Sequence, residues 1–140
     1  MRVVATVLVA LAACGGASGE FSGRGGHGAD WSFEPDRCKQ TEVPGSFSSS
    51  VADLYYAGVH PSDTEVVVRE IGGERQVLVR IPTKNQMIVL RRADCEVFDI
   101  ELGQTAYTLD EEVGVTGHVH IACRRPEIGR VSGEASFTCF

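Results

Sequence analysis

The sequence predicts a mostly β protein, a small antiparallel β-sandwich or barrel closed by two disulfides. Three observations predict it. Val113–Cys123 and Arg130–Cys139 alternate apolar and polar residues with period two, the signature of half-buried strands. Two Val-rich runs, Thr64–Ile71 and Gln76–Ile81, flank Gly72-Gly73, the dipeptide of a tight hairpin turn. Downstream of the leader stand four cysteines, Cys38, Cys95, Cys123 and Cys139, an even number with no CxxC spacing among them. That pattern reads as two disulfides and argues against a zinc ribbon or a thioredoxin-type redox site.

The N-terminal segment differs from the rest. Of 140 residues, 60 are apolar, and 11 of those 60 fall within the first 13 positions. Val3–Ala13 is an eleven-residue apolar stretch, too short at ~1.5 Å per helical residue to cross a ~30 Å hydrocarbon core. It has the length of a signal-peptide h-region and ends in Leu11-Ala12-Ala13-Cys14. This end resembles the lipobox of bacterial lipoproteins, with Leu at −3, small residues at −2 and −1, and Cys at +1. The resemblance implies a signal peptide over 1–13, cleavage before Cys14 and a covalent lipid on its thiol. Each acyl CH₂ buried in the bilayer then adds ~0.8 kcal/mol of membrane affinity. Gly15 follows the cysteine, where an Asp would imply inner-membrane retention, so the resemblance favours the outer membrane. The overall plan also resembles small envelope lipoproteins of myxobacteria and their relatives.

Residues 14–30 hold the candidate lipidated Cys14 and then a stretch with seven glycines and little to bury, which reads as a flexible tether. At ~5–6 Å × √n it would reach ~20–25 Å. His27, within it, reads as a solvated side chain. Residues 31–140 are then the disulfide-stabilised β-domain, one modest domain and no more. That size excludes a dinucleotide-binding domain joined to a substrate domain, and also an eight-fold βα barrel.

Along that domain, Gln86–Arg91 and Cys95–Leu102 are further short strands. Ser50–Ala57 is open between strand and helix, since Ser50 with Asp53 can form a capping box while Tyr55 and Tyr56 suit a strand. If 113–123 and 130–139 form a hairpin, Cys123 lies near its turn and Cys139 at its far end, ~25–30 Å away, whereas a disulfide needs Cα atoms within ~7 Å. The expected pairs are therefore Cys95–Cys123 and Cys38–Cys139. Strict alternation puts Cys95 on a different face from Phe98, Ile100 and Leu102, and a bulge between Val97 and Phe98 would reconcile them.

Net charge is −6, and −7 once Arg2 leaves with the leader. That balance argues against nucleic acid as a partner and against adsorption to anionic lipid by charge alone. Charge is also segregated: 75–92 holds five basic and no acidic residues, 94–112 seven acidic and no basic ones. This is expected to pair opposite charges across neighbouring strands. The sharper alternative is an acidic rim around Asp110, Glu111 and Glu112 that meets a basic partner.

His118-Val119-His120 has the only metal-like spacing, because residues i and i+2 of a strand point the same way. The expected hairpin register adds Glu134 to that face, so His118, His120 and Glu134 form a candidate two-His, one-carboxylate site for a divalent metal. The competing reading is the ordinary solvent face of an amphipathic hairpin. Copper–zinc superoxide dismutases share a His-x-His strand but need more histidines than the four here. No Gly-x-Ser-x-Gly elbow, His-Glu-x-x-His helix or Gly-rich phosphate loop is present. Tyr55, Tyr56, Tyr107 and Trp31 read as core rather than as surface anchors.

The expectation is a non-enzymatic, lipid-anchored binding or assembly accessory of the bacterial cell envelope. It would carry no cofactor beyond its lipid, touch the membrane through that lipid, and meet an envelope protein as partner. The alternatives are inhibition of a basic hydrolase such as lysozyme, or divalent-metal binding at His118/His120. Periplasmic lysozyme inhibitors are likewise small β-domain lipoproteins, although their Ser-Gly-rich inhibitory loop is not evident here.

Overall fold

The computed structural model describes residues 16–24, 30–40, 50–55, 65–81, 86–109 and 112–140. The leader, Cys14, His27, Tyr56, Asp110 and Glu111 lie outside the described residues. Among the described residues, ten strands run in chain order: β1 Gly16–Arg24, β2 Trp31–Phe33, β3 Arg37–Gln40, β4 Ser50–Tyr55, β5 Glu65–Ile71, β6 Glu74–Ile81, β7 Gln86–Leu90, β8 Cys95–Leu109, β9 Glu112–Arg125 and β10 Gly129–Cys139. A 3₁₀ turn at Arg92–Asp94 joins β7 to β8 and is the only helical element among the described residues.

The strands form two five-stranded antiparallel sheets, in the order β2-β1-β10-β9-β8 and β3-β4-β5-β6-β7. The first, sheet A, curls into a half-barrel, and the second, sheet B, closes over its concave side. Alternation fills the space between them. Val66 and Val68 of β5, Val77 and Val79 of β6, and Ile88 and Leu90 of β7 face Phe98, Ile100, Val119, Ile121, Val131 and Phe137 of sheet A in one buried cluster. The predicted mostly β fold is the observed one.

Both disulfides are those expected. Cys95 and Cys123 are direct register partners of β8 and β9, and Cys38–Cys139 joins edge strand β3 to β10, binding one sheet to the other. Beside the second bridge, the Gln40 N–H donates to the Phe140 carbonyl at 3.1 Å. The Gly72-Gly73 hairpin is also present, with φ of 59° and 82°, the two positive values that a type I′ turn demands. Ser50–Tyr55 resolves as strand.

Four expectations are corrected. Residues 16–24 are not a tether but strand β1, paired with β10 from Gly16↔Thr138 to Arg24↔Arg130. The folded region therefore includes Gly16–Arg24 and does not start at residue 31. Composition hid this strand because its glycines and serines carry no apolar period. Its one large core side chain, Phe21, is fully buried, packs on Phe33 at 6.5 Å between ring centroids, and lies over Gly133, where any Cβ would strike its ring. Burying such a ring is worth ~1.5–3 kcal/mol, which with a nine-residue ladder offsets the entropy lost in ordering glycines.

The β8 bulge lies one step earlier than expected. The register slips between Cys95 and Val97, so Glu96 is the extra residue. That slip lets Cys95 meet Cys123 while Phe98 and Ile100 still point inward. β8 also runs to Leu109, past the expected end at Leu102, with a second irregularity between Gln104 and Thr108.

Finally, the basic and acidic runs do not pair as neighbouring strands, because 75–92 falls mainly in sheet B and 94–109 in sheet A. Arg75 and Arg80 instead hold Glu70 and Glu65 across the β5–β6 hairpin, at 3.0 and 2.9 Å. Arg91 holds Glu74 at 3.3 Å. Hydrogen bonding from Gln76, with help from Arg91, lowers the Glu74 carboxyl below its usual range. The runs meet in other ways: the Arg75 guanidinium donates to the Ile100 carbonyl on β8, the Arg91 N–H donates to Asp94 at 3.0 Å, and the Arg92 guanidinium lies over the Phe98 ring.

Candidate functional site: the outer face of the curled sheet

Directly paired residues of an antiparallel sheet point to the same side, so the register of sheet A turns its convex face into rows of named side chains. One row reads Glu20–Glu134–His120–Asp99 across β1, β10, β9 and β8. The next, toward the start of β1, reads Ser18–Ser136–His118–Glu101. Two steps the other way lies Arg24–Arg130–Arg124 across β1, β10 and β9. Between them sits Ser22–Ser132–Ala122. Odd positions of β9 and β10 form the core, so the even ones from Thr116 to Arg124 and from Arg130 to Ser136 take the outer face.

The three predicted residues His118, His120 and Glu134 do share this face. His118 Nε2 and Glu134 Oε2 lie 2.9 Å apart, a diagonal contact between adjacent strands. His120 stands directly opposite Glu134 in register and is exposed. Among the described residues, no group of three His, Cys, Asp or Glu side chains converges closely enough to hold a metal ion. The carboxylate of Glu134 is turned to His118.

Two carboxylates that sequence reasoning had not placed here join the histidines. Asp99 and Glu101 of β8 sit opposite His120 and His118. They follow from the position of the bulge, which sets the face on which every later residue of β8 appears. Glu20 and the arginine row depend on β1, which composition had assigned to a tether. Two members of that row, Arg124 and Arg130, were within reach of the β9–β10 hairpin register.

The aromatic residues divide. Trp31 is half-buried and packs against the core, as expected, while Tyr55 and Tyr107 lie on β4 and β8. Of the acidic rim, only Glu112 is within the described residues, at the start of β9.

At the β9–β10 turn, Arg125 grips Glu127 through two hydrogen bonds, Nε to Oε1 at 3.1 Å and Nη2 to Oε2 at 2.5 Å. Arg125 also lies 3.8 Å from Asp94 of the 3₁₀ turn. The hydrogen bond from Arg125 holds the Glu127 carboxyl down to about 2, and the same pairing raises the guanidinium above its ordinary value. The turn is therefore electrostatically closed, whereas the arginine row beside it is open.

The chain matches no protein-family model, no curated protein and no solved structure.

Proposed function

We propose that the protein is a lipid-anchored, non-enzymatic binding or assembly accessory of the bacterial cell envelope, held at the outer membrane through acyl chains on Cys14. The observation that carries the reading is Leu11-Ala12-Ala13-Cys14 at the end of an eleven-residue apolar stretch. The two disulfides support an oxidising compartment. An accessory that binds rather than catalyses fits a convex face of charged and polar side chains on rigid strands. Since β1 starts at Gly16, a lipid on Cys14 would hold sheet A within two residues of the bilayer surface. Such a protein presents one end of its sheet to the membrane and the other outward.

The test is expression with the leader intact, followed by detergent-phase partitioning and intact-mass measurement. The wild type is expected in the detergent phase with the mass of an acylated Cys14, and Cys14→Ser in the aqueous phase. Equal partitioning without added mass would remove the anchor. Crosslinking in cells from a photoreactive residue at Ser136, on the convex face, tests the accessory role. A stoichiometric envelope partner is expected, and recovery of the protein alone would remove that part of the reading.

A further inference from the structure

The geometry points to an anion site formed by Arg24, Arg130 and Arg124, built for ligands that carry more than one phosphate group. β1, β10 and β9 bring these residues into direct lateral register, Arg24↔Arg130↔Arg124, although the first lies far from the other two in sequence. All three are exposed on the convex face. At ~4.8 Å between strands, the outer two Cα atoms are ~10 Å apart, with the third midway.

Like charges directly opposite on a sheet destabilise it, so such a row costs the fold something. The protein has acidic residues to spare, with a net charge of −6. Yet none of the three has an acidic partner among the described residues. By contrast, Arg75, Arg80, Arg91 and Arg125 each hold a carboxylate. Arg24, Arg124 and Arg130 also line a shallow depression of about 730 Å³, together with Arg125, Asp94 and Pro126. Arg125 is shared by Asp94 and Glu127, which leaves one carboxylate charge over, and Glu96 lines the adjoining depression with Arg124 and Arg130, so the three guanidinium charges of the row still leave the site net positive.

A guanidinium presents a planar fork of N–H donors that matches two oxygens of one phosphate. Three forks in line on a hydrogen-bonded ladder therefore match consecutive phosphates, and strands hold them more rigidly than loops would. On the lipid-anchor reading, placement narrows the source of the ligand. The row lies eight residues from Gly16, ~26 Å along β1, at the end of sheet A remote from Cys14. Headgroups of the anchoring leaflet are then out of reach, and the ligand is soluble or belongs to a structure facing the membrane.

The experiment is calorimetric titration of the full chain in nonionic detergent. The probes are tripolyphosphate, inorganic phosphate, citrate and dihexanoyl phosphatidylglycerol, each beside a thermal melt. Tripolyphosphate is expected to bind more tightly than inorganic phosphate and to raise Tm. Arg130→Gln is expected to weaken it by about tenfold or more, since it removes the central charge-assisted pair. Arg37→Gln, on β3 of the other sheet, is expected to leave it unchanged. Without ligand, Arg130→Gln is expected to melt higher than wild type, because it relieves the repulsion. A purely structural row predicts a lower Tm and no change in binding.

Equal tripolyphosphate binding by wild type and Arg130→Gln, or none by either, would overturn the site. Citrate binding as tight as tripolyphosphate would overturn the phosphate assignment. Binding of the lipid headgroup as tight as that of tripolyphosphate, with both lost in Arg130→Gln, would keep the site and overturn its outward placement. The titration does not depend on acylation of Cys14, so the site and the anchor can fail separately.

Discussion

Cys38, on the edge strand of sheet B, is bonded to Cys139, on an inner strand of sheet A, across 101 residues of sequence. This bridge ties the two layers together beside the backbone hydrogen bond from Gln40 to Phe140. The other bridge, Cys95–Cys123, spans 28 residues and joins strands that are already paired.

Loop-closure entropy therefore ranks the two. Removing Cys38–Cys139 is expected to cost ~4.7 kcal/mol and removing Cys95–Cys123 ~3.6 kcal/mol. Paired Cys→Ala variants followed by urea denaturation measure both. A larger loss from the Cys95/Cys123 pair would show that strain or residual structure outweighs chain entropy here.

The two faces of β9 predict opposite sensitivities. Ile121 is fully buried between the sheets, and Ile121→Ala is expected to cost ~2–5 kcal/mol. His118 is one-third exposed and pairs with Glu134, which is 60% exposed. His118→Ala is expected to cost no more than ~1 kcal/mol in the metal-free protein. Elemental analysis of His118→Ala, His120→Ala beside the wild type checks the metal reading in the same preparations. A lower zinc content in the variant would support that reading, and equal content would end it.

Glu127 gives the acid limb a defined shape. Its carboxyl is held at about 2 against an ordinary 4.5, chiefly by the Arg125 hydrogen bond. A carboxyl whose pKa is lowered on folding stabilises the fold fully above its unfolded value and loses that contribution as pH falls through the folded one. The difference in Tm between wild type and Glu127→Gln is therefore expected to be constant above about pH 5 and to shrink between about pH 4.5 and 2. A difference that stays flat across that window would show that the pair contributes nothing.

The β5–β6 turn isolates a backbone effect. A Cβ at Gly73 would meet no atom within 4 Å, and its φ is 82°. Gly73→Ala is thus expected to cost ~1–2 kcal/mol from the left-handed conformation alone. Thermal melts settle it, and an unchanged Tm would mean that the turn changes type.

What the sequence determined by itself was local. Period-two alternation marked β9 and β10, Gly72-Gly73 marked a hairpin, and strand length pruned three disulfide connectivities to the observed one. These signals are carried by neighbours in the chain. The tertiary structure decided everything that depends on which strands lie side by side. It recruited Gly16–Arg24 into sheet A through one buried phenylalanine and a backbone ladder, neither of which composition records. It separated the basic and acidic runs into different sheets, and the bulge at Glu96 set which face Asp99 and Glu101 occupy. The arginine row exists only through that assembly, because cross-strand register joins residues that no spacing along the chain connects.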